Sequence, residues 1–297
     1  MLNKIIYGLI VYPISRMPFP LLYAFSDFLF FILFRVVGYR RKVVLNNLKN
    51  AFPEKGIQEL RKIEKKFYKH FCDLIVESIK GFTISEKEAL KRMTYTNTEI
   101  LDDLAKKNKS ITFIGGHFGN WELLAVTISQ TVPHTVKALY TPLKGEYWDN
   151  KITTSRSRFG LKMFKIQEIK ALRDSLKGEL SGVIFGSDQS PSNPQKAYWV
   201  KFLNQDTGVQ FGAEKNAKDF DTAIIYGAIT KKKRGYYNTE LVQLFEDVKD
   251  LEYGAIIESF SEVLEEKIKE NPQYYLWTHR RWKHKLPEGM SLGQKLI

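Results

Sequence analysis

Residues 111–124 read ITFIGGHFGNWELL. The first four positions are β-branched or aromatic and suit a buried strand. Gly115 and Gly116 interrupt the run, His117 follows them directly, and Glu122 lies five positions further on, between Trp121 and Leu123. In open α/β sheets ligands bind where strands end and helices begin. Glycines there remove side chains, so a substrate can approach the backbone. A helix that starts after such a turn offers free N–H groups and a positive dipole end to a developing oxyanion. A histidine near its ordinary pKa of ~6.5 is largely neutral at cell pH and takes a proton from a hydroxyl attacking a carbonyl. A carboxylate beside it fixes the tautomer and stabilises the cation. The expectation is a general-base dyad of His117 and Glu122, with Glu122 reaching back from the first helical turns. The plain alternative is a capping turn with a histidine on the surface.

Outward from this stretch, strand-like runs recur at 111–116, 136–140, 182–187 and 222–229, with a further one at 236–244. Helix-like segments fall between them, near 97–107, 118–130, 146–158, 167–178 and 209–219. Amphipathic helices are expected over 57–80, with Ile63, Phe67, Phe71, Leu74 and Ile75 on one face, and over 254–270. This alternation predicts an α/β fold with a mostly parallel central sheet flanked by helices.

The N-terminus differs in character. "IIYGLIVY" at 5–12 is too short to span a bilayer. After Pro13, Pro18 and Pro20 comes "LLYAFSDFLFFILFRVV" at 21–37, near the lower limit of ~17 residues for a transmembrane helix. It contains Asp27 and Arg35, and Arg40, Arg41 and Lys42 follow. No small-residue cleavage site follows it, so the expectation is a retained membrane anchor, either spanning or interfacial, with its basic flank on the cytoplasmic side. The organisation predicted is an apolar anchor over 1–45 and an α/β domain over 46–297.

Net charge is +13 over 297 residues, which favours polyanionic partners. Nucleic acid is disfavoured, because no RNP-type block, zinc-finger spacing or clear helix-turn-helix occurs. Cys72 is the only cysteine, so no internal disulfide forms. It falls on the apolar side of the 57–80 helix and reads as a buried, inert thiol. No G-x-S-x-G elbow is present. H-E-x-x-H is absent too, and no metal is expected. With no enzyme nucleophile in view, the attacking group is expected to be a substrate hydroxyl, in a direct transfer. Arg156 and Arg158 read as an anion clamp or as a solvated helix face. Asp188 follows a strand-like run and reads as a site acid or as a turn residue before Pro191. "KKKR" at 231–234 reads as a solvated charge run. "RRWKHK" at 280–285, interleaved with Trp277 and Trp282, suits a membrane interface.

Several blocks together resemble a known family. "GGHFGNWE" resembles the H-x4-D/E block of glycerolipid-type acyltransferases. "NNLKNAFPE" at 46–54, "YTPLKGEYWDNKITTSRSRFG" at 140–160, "FGSDQSPSNP" at 185–194 and "NPQYYLWTHRRWKHKLPEG" at 271–289 resemble, in order, blocks of the lipid A biosynthesis acyltransferases. The resemblance implies an enzyme at the cytoplasmic face of the inner membrane. It would move a fatty acyl chain from acyl carrier protein to a hydroxyl of a lipid A precursor, with no cofactor beyond that donor. It implies His117 as base and Glu122 as its partner. Arg156 or Arg158 would be the functional arginine and Asp188 the functional acid. Gly116, Asn120 and Tyr140 would join the substrate-binding residues. Thr141 stands where the family usually has arginine, which leaves room for another amphiphilic acceptor: an amino-acid lipid, a glycolipid or a glycerophosphate.

Overall fold

The computed structural model describes residues 1–294. Among the described residues nine strands occur: β1 (Met93–Thr96), β2 (Ile111–Gly115), β3 (Thr135–Tyr140), β4 (Lys162–Lys165), β5 (Ser181–Gly186), β6 (Tyr198–Phe202), β7 (Gln205–Val209), β8 (Ala223–Lys233) and β9 (Tyr236–Phe245). Seven of them form one sheet in the order β1-β9-β8-β2-β5-β3-β4. Every neighbouring pair is parallel except β8 and β9, which form an antiparallel hairpin. β6 and β7 make a separate hairpin. The five strands expected from the sequence are present within a few residues. β1, β4 and the β6–β7 hairpin were not anticipated, because β1 and β4 are four-residue edge strands and Gly208 and polar residues break the pattern of β7.

The pleat sorts side chains to two cores. Ile111 and Phe113 of β2 and Ala223 and Ile225 of β8 pack on one face with Leu101, Leu104 and Leu161. Ile114, Ile224 and Tyr226 face the other way, toward Val44, Leu48 and Phe67 and toward Ile256, Phe260 and Leu264 of the Ala255–Glu270 helix. Full burial of each such aliphatic or aromatic side chain contributes about 1.5–3 kcal/mol. The Ile57–Lys80 helix spans the predicted residues and buries Leu60, Ile63, Phe67 and Leu74. Cys72 is fully buried there, and burial pushes its thiol up to about 12, so it is held protonated.

The apolar N-terminus is helical and lies against the body. Phe19–Val36 is long and apolar enough to cross a membrane by length and composition, and only 17% of it is buried. The buried side is polar as well as apolar. Ser26 donates to Asp73 (2.9 Å), Arg234 bridges Asp27 (2.7 Å) and Asp73 (2.7 Å), and Tyr23 donates to Glu77 (2.9 Å). Leu21, Phe28, Phe31 and Val36 face outward. Asp27, anomalous in a lipid-facing helix, is thus explained by its partner on the body. Ahead of it, Lys80 and Thr83 hold the carbonyls of Ser15 and Met17. Of the basic cluster that follows, Arg41 is committed to Glu64 (2.8 Å) and Arg40 to the Thr278 carbonyl (3.0 Å).

Two sequence expectations are corrected here. The 231–234 run is not simply solvated: Lys231 reaches Asp73 (3.2 Å) and Arg234 clamps the N-terminal helix. Nor is Trp277 placed for a lipid interface, and Trp282 is half-buried against the protein. Trp277 is fully buried with its indole N–H on the Pro272 carbonyl, and Trp282 packs on the core with its N–H on Thr207. Their polar tips find partners inside the protein, so neither needs a headgroup.

Removing Asp73 takes the paired carboxylate from Lys231 and leaves Arg234 with Asp27 alone. Asp73→Ala is expected to destabilise the fold by about 3 kcal/mol, read from denaturant midpoints in detergent micelles.

Candidate active site

β2 and β5 are parallel neighbours in register, with Gly115 opposite Gly186. Two residues beyond each lies His117 and Asp188, so the ends of adjacent strands bring together residues 71 apart in sequence. The Ser187 N–H donates to the Gly115 carbonyl (3.0 Å) and carries the pairing one step further. Asp188 Oδ1 lies 2.6 Å from His117 Nδ1, and Oδ2 accepts the His117 backbone N–H at 2.9 Å. A carboxylate on Nδ1 places the proton there and leaves Nε2 with its lone pair. The Gln189 amide donates to that Nε2 at 3.0 Å.

The imidazole partner is therefore Asp188 and not the expected Glu122. Glu122 sits in the first turn of the Trp121–Thr127 helix, where its carboxylate receives both arms of Arg156 (2.9 and 2.6 Å) from the Glu146–Ser157 helix. The planar guanidinium fits a carboxylate by two parallel hydrogen bonds, which outcompetes a reach back to the ring. Glu122 remains close enough to act on His117 through its charge.

Electrostatics follow from this arrangement. Burial opposes the imidazolium, but the Asp188 carboxylate more than offsets it through its charge and hydrogen bond, and Glu122 adds attraction. His117 therefore titrates above the ordinary histidine value. Burial alone would raise Asp188. His117, its backbone N–H and the charge of Arg281 instead hold the carboxyl below its usual range.

The C-terminal block supports this loop from behind. The Leu276 N–H donates to the His117 carbonyl (3.1 Å), the Gly119 N–H donates to the Tyr274 carbonyl (3.0 Å), and Phe118 bridges Tyr275. Arg281 is buried, donates to the Gly208 carbonyl (2.7 Å) and contributes its charge to Asp188. His279 accepts the Ser190 N–H at 3.0 Å, and burial lowers its pKa to about 4, so it stays a neutral acceptor. Arg281, His279 and Gln189 were missed as site residues. The signal for Gln189 was its place beside Asp188; Arg281 lay in the 280–285 run read as suited to a membrane interface, and His279 just ahead of it.

Other expected residues fall into place differently. Gly119 has φ +64, and a Cβ there would meet Ile229 at 2.5 Å, so this turn requires glycine. Gly115 has open space around it, as a substrate approach needs. At Gly116 a Cβ would instead lie 2.8 Å from Leu264, so that glycine serves packing. Asn120 is buried: its amide oxygen accepts the Leu123 N–H (2.8 Å) and its NH2 donates to Glu77 (2.7 Å), so it caps the helix and ties it to the Ile57–Lys80 helix. One first-turn N–H that was expected to face an oxyanion is thereby taken. Tyr140 donates to Asp149 (3.1 Å), which also accepts the Leu143 N–H and so shapes the 140–143 loop. Arg158 is not beside Arg156 at the dyad; it donates to the Gly81 carbonyl at 2.9 Å.

A mainly apolar cavity of about 260 Å³ runs from Glu122 and Arg156 past Leu123, Phe82 and Trp148 to Val11 of the N-terminal segment. A half-buried histidine on a buried aspartate, its Nε2 met by a glutamine amide and a cavity beginning at the nearby Glu122, fits proton abstraction from a hydroxyl on an amphiphile. The profile of the family described as bacterial lipid A biosynthesis acyltransferase matches residues 4–284. The chain belongs to that family. It is therefore an acyltransferase, and the match takes in both the N-terminal helix and the C-terminal block that braces the histidine. A lipid A biosynthesis lauroyltransferase of Escherichia coli (strain K12) is 23% identical over 287 residues, covering 95% of this chain and 91% of the relative.

A general base at His117 would work only when neutral, so on that role kcat/KM is expected to rise with pH through a limb above ~6.5. Asp188→Asn removes the attraction that raises the pKa. Burial then dominates, so the limb should move to lower pH while kcat drops ~10²–10⁴-fold. pH–rate profiles of the two proteins check both signs.

Proposed function

We propose that this acyltransferase moves a fatty acyl chain from acyl carrier protein to a hydroxyl of a lipid A precursor by direct transfer. The observation that carries this reading is the Asp188–His117 pair, with Nε2 of the ring turned toward a side chain that a substrate can displace. An acceptor hydroxyl takes the place of the Gln189 amide on Nε2. As its oxygen attacks the thioester carbon, its proton passes to Nε2. The C–S bond breaks, the ester forms, and the departing sulfur takes the proton from the imidazolium. Asp188 holds the ring and stabilises its cation; Glu122, fixed by Arg156, adds negative charge nearby.

The apolar cavity beside Glu122 suits the acyl chain. The positive net charge suits an acidic carrier protein. The N-terminal helix, bound lengthwise to the body by Tyr23, Ser26 and Asp27, lies in the membrane surface with its apolar face in the acyl region and does not cross alone. Arg35 and Lys42 then reach anionic headgroups at the cytoplasmic face of the inner membrane.

The test supplies purified protein in micelles with long-chain acyl carrier protein and the acylated glucosamine disaccharide, and follows product by mass spectrometry. His117→Ala should lose at least ~10²-fold in rate. Equal product from both proteins would sink the reading. Val11→Trp fills the cavity from the N-terminal side. It should shift selectivity toward shorter donors by about tenfold, measured by competing two chain lengths.

A further inference from the structure

A second cavity, of about 270 Å³, adjoins the first, and Phe82 and Ser155 line both. Its character is different. Lys151, Arg158, Tyr7, Tyr147, Asn150 and Thr154 line it, and no carboxylate does. Lys151 and Arg158 stand seven apart, two turns along one side of the Glu146–Ser157 helix and its C-cap. Among the described residues neither is in an ion pair with a carboxylate, whereas Arg156 between them is committed to Glu122. Lys151 Nζ rests 4.2 Å from the ring centre of Tyr7, and Arg158 uses one N–H on the Gly81 carbonyl, leaving the rest of its fork available. Two uncompensated cations, hydroxyls and an amide in one concavity are the donor set of a phosphate site.

We propose that this cavity binds a phosphate group on one of the enzyme's amphiphilic substrates. The identity of those substrates rests on the acyl-transfer reading above; the anion site does not. Its wall includes Tyr7 of the outward-facing N-terminal segment, so the phosphate would sit at headgroup depth while a chain occupies the neighbouring apolar cavity. Phosphate reaches this place either on a phosphorylated sugar headgroup or on the arm of a thioester donor.

The experiment measures equilibrium binding of the acylated disaccharide, with and without its phosphates, and of the acyl thioester donor to full-length protein in micelles, alongside steady-state kinetics. Lys151→Ala and Arg158→Gln should each weaken binding of the phosphorylated disaccharide, and raise its KM, about tenfold, with kcat within about twofold. The dephosphorylated compound should bind all variants alike, and Lys151→Arg should restore affinity. A tenfold loss confined to the donor also supports the site and assigns the phosphate to the donor's arm. Unchanged affinity for both substrates, or equal losses with and without phosphate, overturns the proposal. Because binding is read without turnover, a wild-type protein that binds phosphate here but transfers no acyl group would count against the acyl-transfer reading alone.

Discussion

A buried carboxylate at the end of one parallel strand, held by the residue at the end of the next, organises the rest of this molecule. Asp188 has left water, which is costly unless its oxygens are matched with donors and positive charge. His117 supplies two of the donors itself, one from the ring and one from the backbone. The same contact therefore sets the imidazole plane, its tautomer and the path of the glycine-rich loop. Adjacent strands run about 4.8 Å apart, so register alone delivers the two residues to hydrogen-bonding range.

The loop would not hold this shape unaided. Residues 274–276 pair with 117–119 almost as a further strand, and Trp277 anchors them in the core. On the other side, Glu77 gathers donors from Tyr23 of the N-terminal helix, Tyr237 of β9 and Asn120 at the start of the Glu122 helix. His70 of the same helix lies 3.2 Å from the Gly119 carbonyl, and burial keeps that ring neutral. The apolar N-terminal segment is thus wired to the turn that carries His117. The same segment walls the apolar cavity through Val11. The wall of that cavity is complete only with this segment in place.

The α/β class, the long amphipathic helices and the position of His117 at a strand end were legible because each rests on local sequence pattern: a continuous buried run of β-branched and aromatic residues ended by glycines in β2, period 3.6 over 57–80. The edge strands β1 and β4 were not, since four residues carry too little pattern. Asp188 could be singled out as a strand-end acid, and the resemblance pointed to it, but its partner could not be named.

Sequence alone determined the architecture, the apolar character of the N-terminus and the set of candidate groups. Which carboxylate meets the imidazole was decided only in three dimensions. Glu122 is near His117 along the chain, yet the helix directs it to Arg156, while Asp188 is far along the chain and one strand spacing away in the sheet. The fate of the basic runs was decided there too: Arg281 is buried on the Gly208 carbonyl with its charge felt by Asp188, and Arg234 ties Asp27 of the N-terminal helix to Asp73. A charge's worth depends on its distance to the opposite charge and on the solvent between them, and both are properties of the folded chain.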